Sequence, residues 1–137
     1  MPLPRALLDT DTLSAIMRGA PMALANARDY LAEHGVFTFS IITRYEVLRG
    51  LKAKNAIIQL QAFDRLCAGS QIVPLTDDAI VKASDIYAEL RRRGEPIGDA
   101  DILIAASALI HGLAVVTNNE AHFNRVPGLI VENWLRP

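Results

Sequence analysis

The chain has 137 residues, 51% of them apolar, and a formal net charge of −1. That length fits a single domain, residues 1–137, with a substantial core, and the near-zero charge gives no footprint of a general nucleic-acid binder. No apolar run reaches the ~20 residues that span a bilayer, the first residues lack a cleavable signal pattern, and the lone Cys67 excludes a disulfide framework and a cysteine-rich zinc site, so a cytoplasmic protein with no membrane partner is expected.

Residues 5–9, RALLD, read as a short buried strand ending on Asp9. TDTLSAIMRG starts with cap-type residues and ends at Gly19, which predicts a short helix. Residues 22–34 predict a second helix, closed by Gly35, and VFTFS a strand of aromatic and β-branched residues. Two helices follow, IITRYEVLRGLKAK and NAIIQLQAFDRLCAG, then the strand QIVPL. DDAIVKASDIYAELRRRG predicts a long helix with acids at its start and bases at its end, which suits the helix dipole. DADILIAASALIH is a buried helix closed by Gly112, with His111 at its C-terminus; LAVVT and LIVEN are the last strands. His122 falls on a loop or short helix and reads as a surface residue.

Strands alternating with helices give an α/β fold with a mainly parallel sheet. Ligands of such sheets bind outside the carboxyl ends of the strands. Asp9 ends the first strand, Ser40 follows the second, and Asn118 and Asn119 follow LAVVT, so polar residues gather where a site belongs.

Among the acids, Asp9 is expected to face the cleft while Asp11 caps the next helix. Glu46 has two readings. Thr43-x-x-Glu46 matches a capping box; alternatively Ser40 starts the helix and Glu46 lies more than a turn inside, a costly place for an unpaired carboxylate. Asp99 and Asp101 are two residues apart and cannot share a helix face. Asp101 opens the apolar stripe of Ile104, Ala105 and Ala108, which leaves Asp99 as the cap. Three acids on three segments suit a hard cation such as Mg2+ or Mn2+, with positions left for water and phosphate. Such a site activates water and stabilises charge on a phosphoryl group. The bases Arg44, Arg49, Lys52 and Lys54, and again Arg91 to Arg93, read as solvated helix faces.

The stretches LLDTD, SIITRYEVLRGL, IGDADILIAASAL and GLAVVTNNEAHFNRVPGLIVENW, in this order, resemble the PIN-domain ribonucleases, and among them the VapC-type toxins of toxin–antitoxin pairs. The resemblance covers nearly the whole chain. It implies a three-layer α/β/α sandwich and Mg2+- or Mn2+-dependent cleavage of RNA. Asp9, Glu46 and Asp101 match the family's acidic positions, with Asp9 and Asp101 as metal ligands and Glu46 binding metal or orienting water. Where many relatives carry a further acid, this chain has Asn119, able to hold a metal-bound water or a phosphate, with Glu120 beside it as a substitute acid. Thr10, Asp99, Thr117 and Asn118 are candidates for supporting the site, and Arg44, Arg49 and Lys52 for gripping the RNA backbone. The family implies a homodimer and a VapB-type antitoxin, for which the helices at 41–67 offer a groove.

Two other functions compete. LLDTDTL fits the D-x-D-x-T signature of haloacid-dehalogenase-like phosphatases, although the late acidic motif then precedes the Ser/Thr motif VVTN, the reverse of that family's order. The second is a non-catalytic RNA-binding PIN module, supported only by Asn119.

Overall fold

The computed structural model describes residues 3–137. Five strands, β1 (Ala6–Leu8), β2 (Thr38–Ser40), β3 (Gln71–Val73), β4 (Ala114–Val116) and β5 (Val131–Glu132), form one sheet in the order β3-β2-β1-β4-β5. Every pairing is parallel, and Leu7 of the central strand lies opposite Thr38 on one side and Val115 on the other. Between the strands run α1 (Thr10–Met17), α2 (Pro21–His34), α3 (Ile41–Ala53), α4 (Ile57–Ala68), α5 (Asp77–Arg92), α6 (Asp99–Ile110) and α7 (Glu120–Phe123).

The strands are apolar throughout because both sheet faces are covered. Side chains alternate along a strand, so Ala6 and Leu8 of β1 join Ala114 and Val116 of β4 on one face. There they pack with Phe39 of β2, with Tyr30, Val47 and Phe63 of α2, α3 and α4, and with Trp134 near the chain end. Leu7 and Val115 point the other way, into a second core with Ile86, Leu90, Ile104 and Phe123 from α5–α7. This is the expected three-layer arrangement. Full burial of each such Leu or Val contributes about 1.5–3 kcal/mol. Helix α6 is buried nearly all round, and Ala105, Ala106 and Ala108 let it lie close to its neighbours. The buried Tyr30 hydroxyl accepts from the Ala6 N–H at 3.0 Å, so its polar tip is satisfied at the sheet.

The strands are shorter than the sequence suggests. RALLD yields three strand residues, QIVPL stops before Pro74, which cannot donate to a ladder, and LIVEN keeps only Val131 and Glu132. The chain passes from β1 to β2 and β3 on one side, then crosses to β4 on the other. The reversal of direction falls between β1 and β4, and their carboxyl ends open a crevice there.

Candidate active site

Asp9 continues the extended chain of β1 (φ −76°, ψ 162°), the backbone an N-cap requires, so Asp9 itself caps α1 and accepts from the Thr10 N–H at 2.8 Å. The cap expected at Asp11 is therefore already taken. Asp11 sits in the first turn and accepts the Asn118 N–H at 3.1 Å instead. Asp9 is 6% exposed, and its second oxygen accepts from the Thr117 hydroxyl at 2.8 Å. Burial, then the charge of Asp11, push the Asp9 carboxyl up to about 7 against the pull of both hydrogen bonds; Asp101 adds a smaller push. Burial raises Asp11 too, again with Asp101 contributing. Among the described residues no Lys or Arg pairs with any of these three acids.

Glu46 comes from α3. Ser40, the last residue of β2, caps that helix by accepting the Ile42 N–H at 2.9 Å. Of the two readings of Glu46, the interior position holds and the capping box does not form. Its carboxylate accepts the Thr10 hydroxyl at 2.6 Å and faces Arg49 at 3.6 Å. Thr10 thus ties the acid of α3 to the residue after Asp9.

Helix α6 begins at Asp99, the first residue of the predicted segment, but its cap is not Asp99. Gly98, extended at φ −67° and ψ 158°, occupies the N-cap position and has no side chain to cap with. Asp99 is therefore not the cap. It is the first helical residue and lines a groove of about 430 Å³ between α5 and α6, beside Ile80, Tyr87 and Leu103. Two residues on, the helix turns Asp101 elsewhere. Its Oδ2 lies 2.9 Å from His122 Nδ1 and 3.3 Å from Asn119 Nδ2.

The β4–α7 loop completes the arrangement. The Thr117 hydroxyl accepts the Asn119 N–H at 2.9 Å while donating to Asp9. Asn118 holds Asp11 through its backbone and Asn133 through its side chain. Glu120, the candidate substitute acid, is tied to the chain end. Arg136 reaches it at 2.6 and 2.8 Å and Asn133 at 2.9 Å, and the Arg136 hydrogen bonds above all hold its carboxyl down at about 2.

His122 and Asp11 escaped the sequence reading of the site. For His122 a signal existed: it stands three residues after Asn119, so one helical turn brings both to the same side. The bases divide. Arg44 donates to the Cys67 sulfur and lies over the Phe63 ring, between α3 and α4. Arg49 stays at the Glu46 carboxylate and over Tyr45. Lys52 is exposed on the last turn of α3. Arg18 and Lys54 line a second groove, of about 480 Å³, that runs from Thr10 and Glu46 between α1, α3 and α4.

Residues 6–129 match the PIN domain family. The "tRNA(fMet)-specific endonuclease VapC" of Salmonella typhimurium is 30% identical over 129 residues, 93% of this chain and 96% of that protein. The "Ribonuclease VapC1" of Methanocaldococcus jannaschii is 36% identical over 96 residues, 70% of this chain and 68% of that one. Among solved structures, VapBC2 from Rickettsia felis, bound to a DNA fragment from its promoter, superposes with a TM-score of 0.84 at 27% identity, over 94% of this chain and 98% of the other. With the acids gathered at the carboxyl edge of a parallel sheet, these likenesses place the chain in the PIN-domain family, among its VapC-type ribonucleases.

Proposed function

We propose that this protein is the endoribonuclease toxin of a toxin–antitoxin pair and hydrolyses RNA phosphodiester bonds with Mg2+ or Mn2+ held by Asp9 and Asp101. One observation carries the reading: a buried Asp9 stands beside Asp11 and Asp101, raised to about 7, with no Lys or Arg paired to the group among the described residues. A divalent cation is the charge that would relieve this repulsion. The donors are hard oxygens, which suit Mg2+ and Mn2+. Among the described residues no three His, Cys, Asp or Glu side chains form a ready-made metal cage. An ion here would be held by one or two carboxylates and completed by water and substrate phosphate. When bound, the ion would supply neutralisation of the scissile phosphate and a more acidic water.

The chain's own residues do the positioning. The Thr10 N–H and the Thr117 hydroxyl fix both oxygens of Asp9. Thr10 also aims Glu46, which orients the attacking water and takes its proton. Asn119 holds Asp101 by its amide. Arg49 and Lys52, with Arg18 and Lys54 nearby, supply positive charge for the RNA backbone.

The likeness to a tRNA(fMet)-specific relative makes transfer RNA the first substrate to try. The likeness to VapBC complexes supports a VapB-type antitoxin. Its groove is the one between α1, α3 and α4, where Ile16, Met17, Val47, Leu51 and Leu66 lead up to Glu46. A homodimer would use the groove of Ile80, Tyr87 and Leu103. The reading is tested by incubating antitoxin-free protein with total cellular RNA, with Mg2+, Mn2+ or chelator. Chelator-sensitive cuts at defined sites are expected. RNA bound but uncleaved by folded protein with Mn2+ present would replace the enzyme with the binding module.

A further inference from the structure

Three polar atoms crowd at the open side of the site. His122 Nδ1 lies 2.9 Å from Asp101 Oδ2 and 2.8 Å from Asn119 Nδ2, and Asn119 Nδ2 lies 3.3 Å from the same Asp101 oxygen. No assignment of protons makes hydrogen bonds of all three contacts at once. With a proton on Nδ1, the ring donates to Asp101 and its N–H confronts the Asn119 amide nitrogen. With a lone pair there, Asn119 donates to the ring, and the lone pair confronts a carboxylate oxygen. Turning the amide over lets a protonated Nδ1 share its proton between both oxygens, and sets the amide oxygen 3.3 Å from the same carboxylate.

A cation removes the conflict. It makes ligands of both the nitrogen lone pair and the carboxylate oxygen, and Asn119 is left to donate to Asp101. Ligand atoms about 2.1 Å from an ion, at neighbouring positions of an octahedron, stand about 3 Å apart. The Nδ1 to Oδ2 separation of 2.9 Å, also a hydrogen-bond length, matches that spacing. The His122 side chain is 40% exposed, so an ion and its waters can reach it.

We propose that His122, through Nδ1, is a nitrogen ligand of the cation held at Asp101, and that it biases the site toward Mn2+ over Mg2+. The inference rests on the metal-nuclease reading above and sharpens it. Imidazole serves transition ions well, whereas Mg2+ takes oxygen and gives up water reluctantly. A site of carboxylates alone would discriminate little between the two ions; one with His122 in it discriminates by donor type.

The test needs no RNA. Mn2+ and Mg2+ are titrated separately into the wild-type protein and His122→Asn, and electron spin-echo spectra of the Mn2+ complexes are recorded. Asparagine puts an amide near the position of Nδ1 and keeps a hydrogen bond to Asp101, so a purely positioning role survives the change. The expected result is a nitrogen coupling to Mn2+ in the wild type that vanishes in the variant. Mn2+ affinity should fall about tenfold or more, and Mg2+ affinity should stay within about twofold. Circular dichroism checks the variant's fold, and the wild-type spectrum decides by itself if the fold is lost. Bound Mn2+ without nitrogen coupling, or equal weakening of both ions, would overturn this assignment and leave the metal site standing. Failure of both ions to bind the folded wild type would overturn the metal reading and this inference together.

Discussion

At the C-terminal corner of the sheet edge, Glu120 meets Arg136 and Asn133 and is held at about 2; at the mouth of β1, Asp9 meets Asp11 and Asp101 and is pushed to about 7. The two carboxylates differ in what the chain provides around them. The first is neutralised by its own neighbours and serves to pin the β4–α7 loop to the chain end. The second is buried, repelled and left without a paired Lys or Arg among the described residues. Desolvating a carboxylate without a partner is costly, and folds tolerate it where function uses it. On the proposed reading, the contrast puts the chemistry at β1 and gives the other corner a structural part.

The largest effect should come from removing a charge at the β1 mouth. Asp101→Asn is expected to lower single-turnover RNA cleavage about 1,000-fold or more while the thermal unfolding of the metal-free protein shows an intact fold. Wild-type cleavage by folded Asp101→Asn would break the contrast outright.

The pH dependence should separate the two corners next. Asp9 has an ordinary value of 3.8 and a folded value of about 7. The unfolded chain therefore releases this proton first. In metal-free protein, the stability tied to the Asp9 proton is full below 3.8 and is lost as pH rises through about 7. A cation competes with the same proton. The Tm gain given by Mg2+ or Mn2+ should grow as pH rises toward about 7 and then level off. A gain independent of pH from about 5 to 8 would show that Asp9 is not where the ion binds.

Smaller still is the loss of the Thr10 hydroxyl. Thr10→Val removes the 2.6 Å anchor of Glu46 but leaves every acid in place. Cleavage should fall about tenfold, with a fold stable enough to measure it. The smallest effect belongs to the neutralised corner. Arg136→Ala frees an exposed ion pair, and surface pairs of this kind add little. Cleavage should stay at the wild-type rate; a loss as deep as that of Thr10→Val would draw the C-terminal corner into the site.

Much of this was legible from residue pattern. The alternation of apolar runs with capped helices carried the parallel sheet, because buried strands and helix starts leave strong local signals. Asp9 and Asp101 were legible as residues at the ends of buried segments. The cap assignments were not. Asp9 and Asp11, like Gly98 and Asp99, are within two residues of each other, and only the backbone angles decide which one caps. His122 was hidden for another reason. Helix α7 has four residues, too few for any apolar period, and its contact with Asp101 joins segments 21 residues apart. The tie between Glu120 and Arg136 likewise depends on where the chain end returns after β5. Such pairings are set by tertiary packing, which no local pattern contains.

The most direct measurement takes Asp9→Asn through two assays, thermal unfolding without metal and RNA cleavage with Mn2+. Asparagine keeps the size and one acceptor oxygen for the Thr10 N–H, its amide can donate to the Thr117 hydroxyl oxygen in place of accepting from it, and the repelled charge is removed. Above pH 7 the two assays should move in opposite directions: a higher Tm and no cleavage, the mark of a residue whose cost in stability serves function. A lower Tm with cleavage retained would make Asp9 a structural cap and move the chemistry away from the mouth of β1.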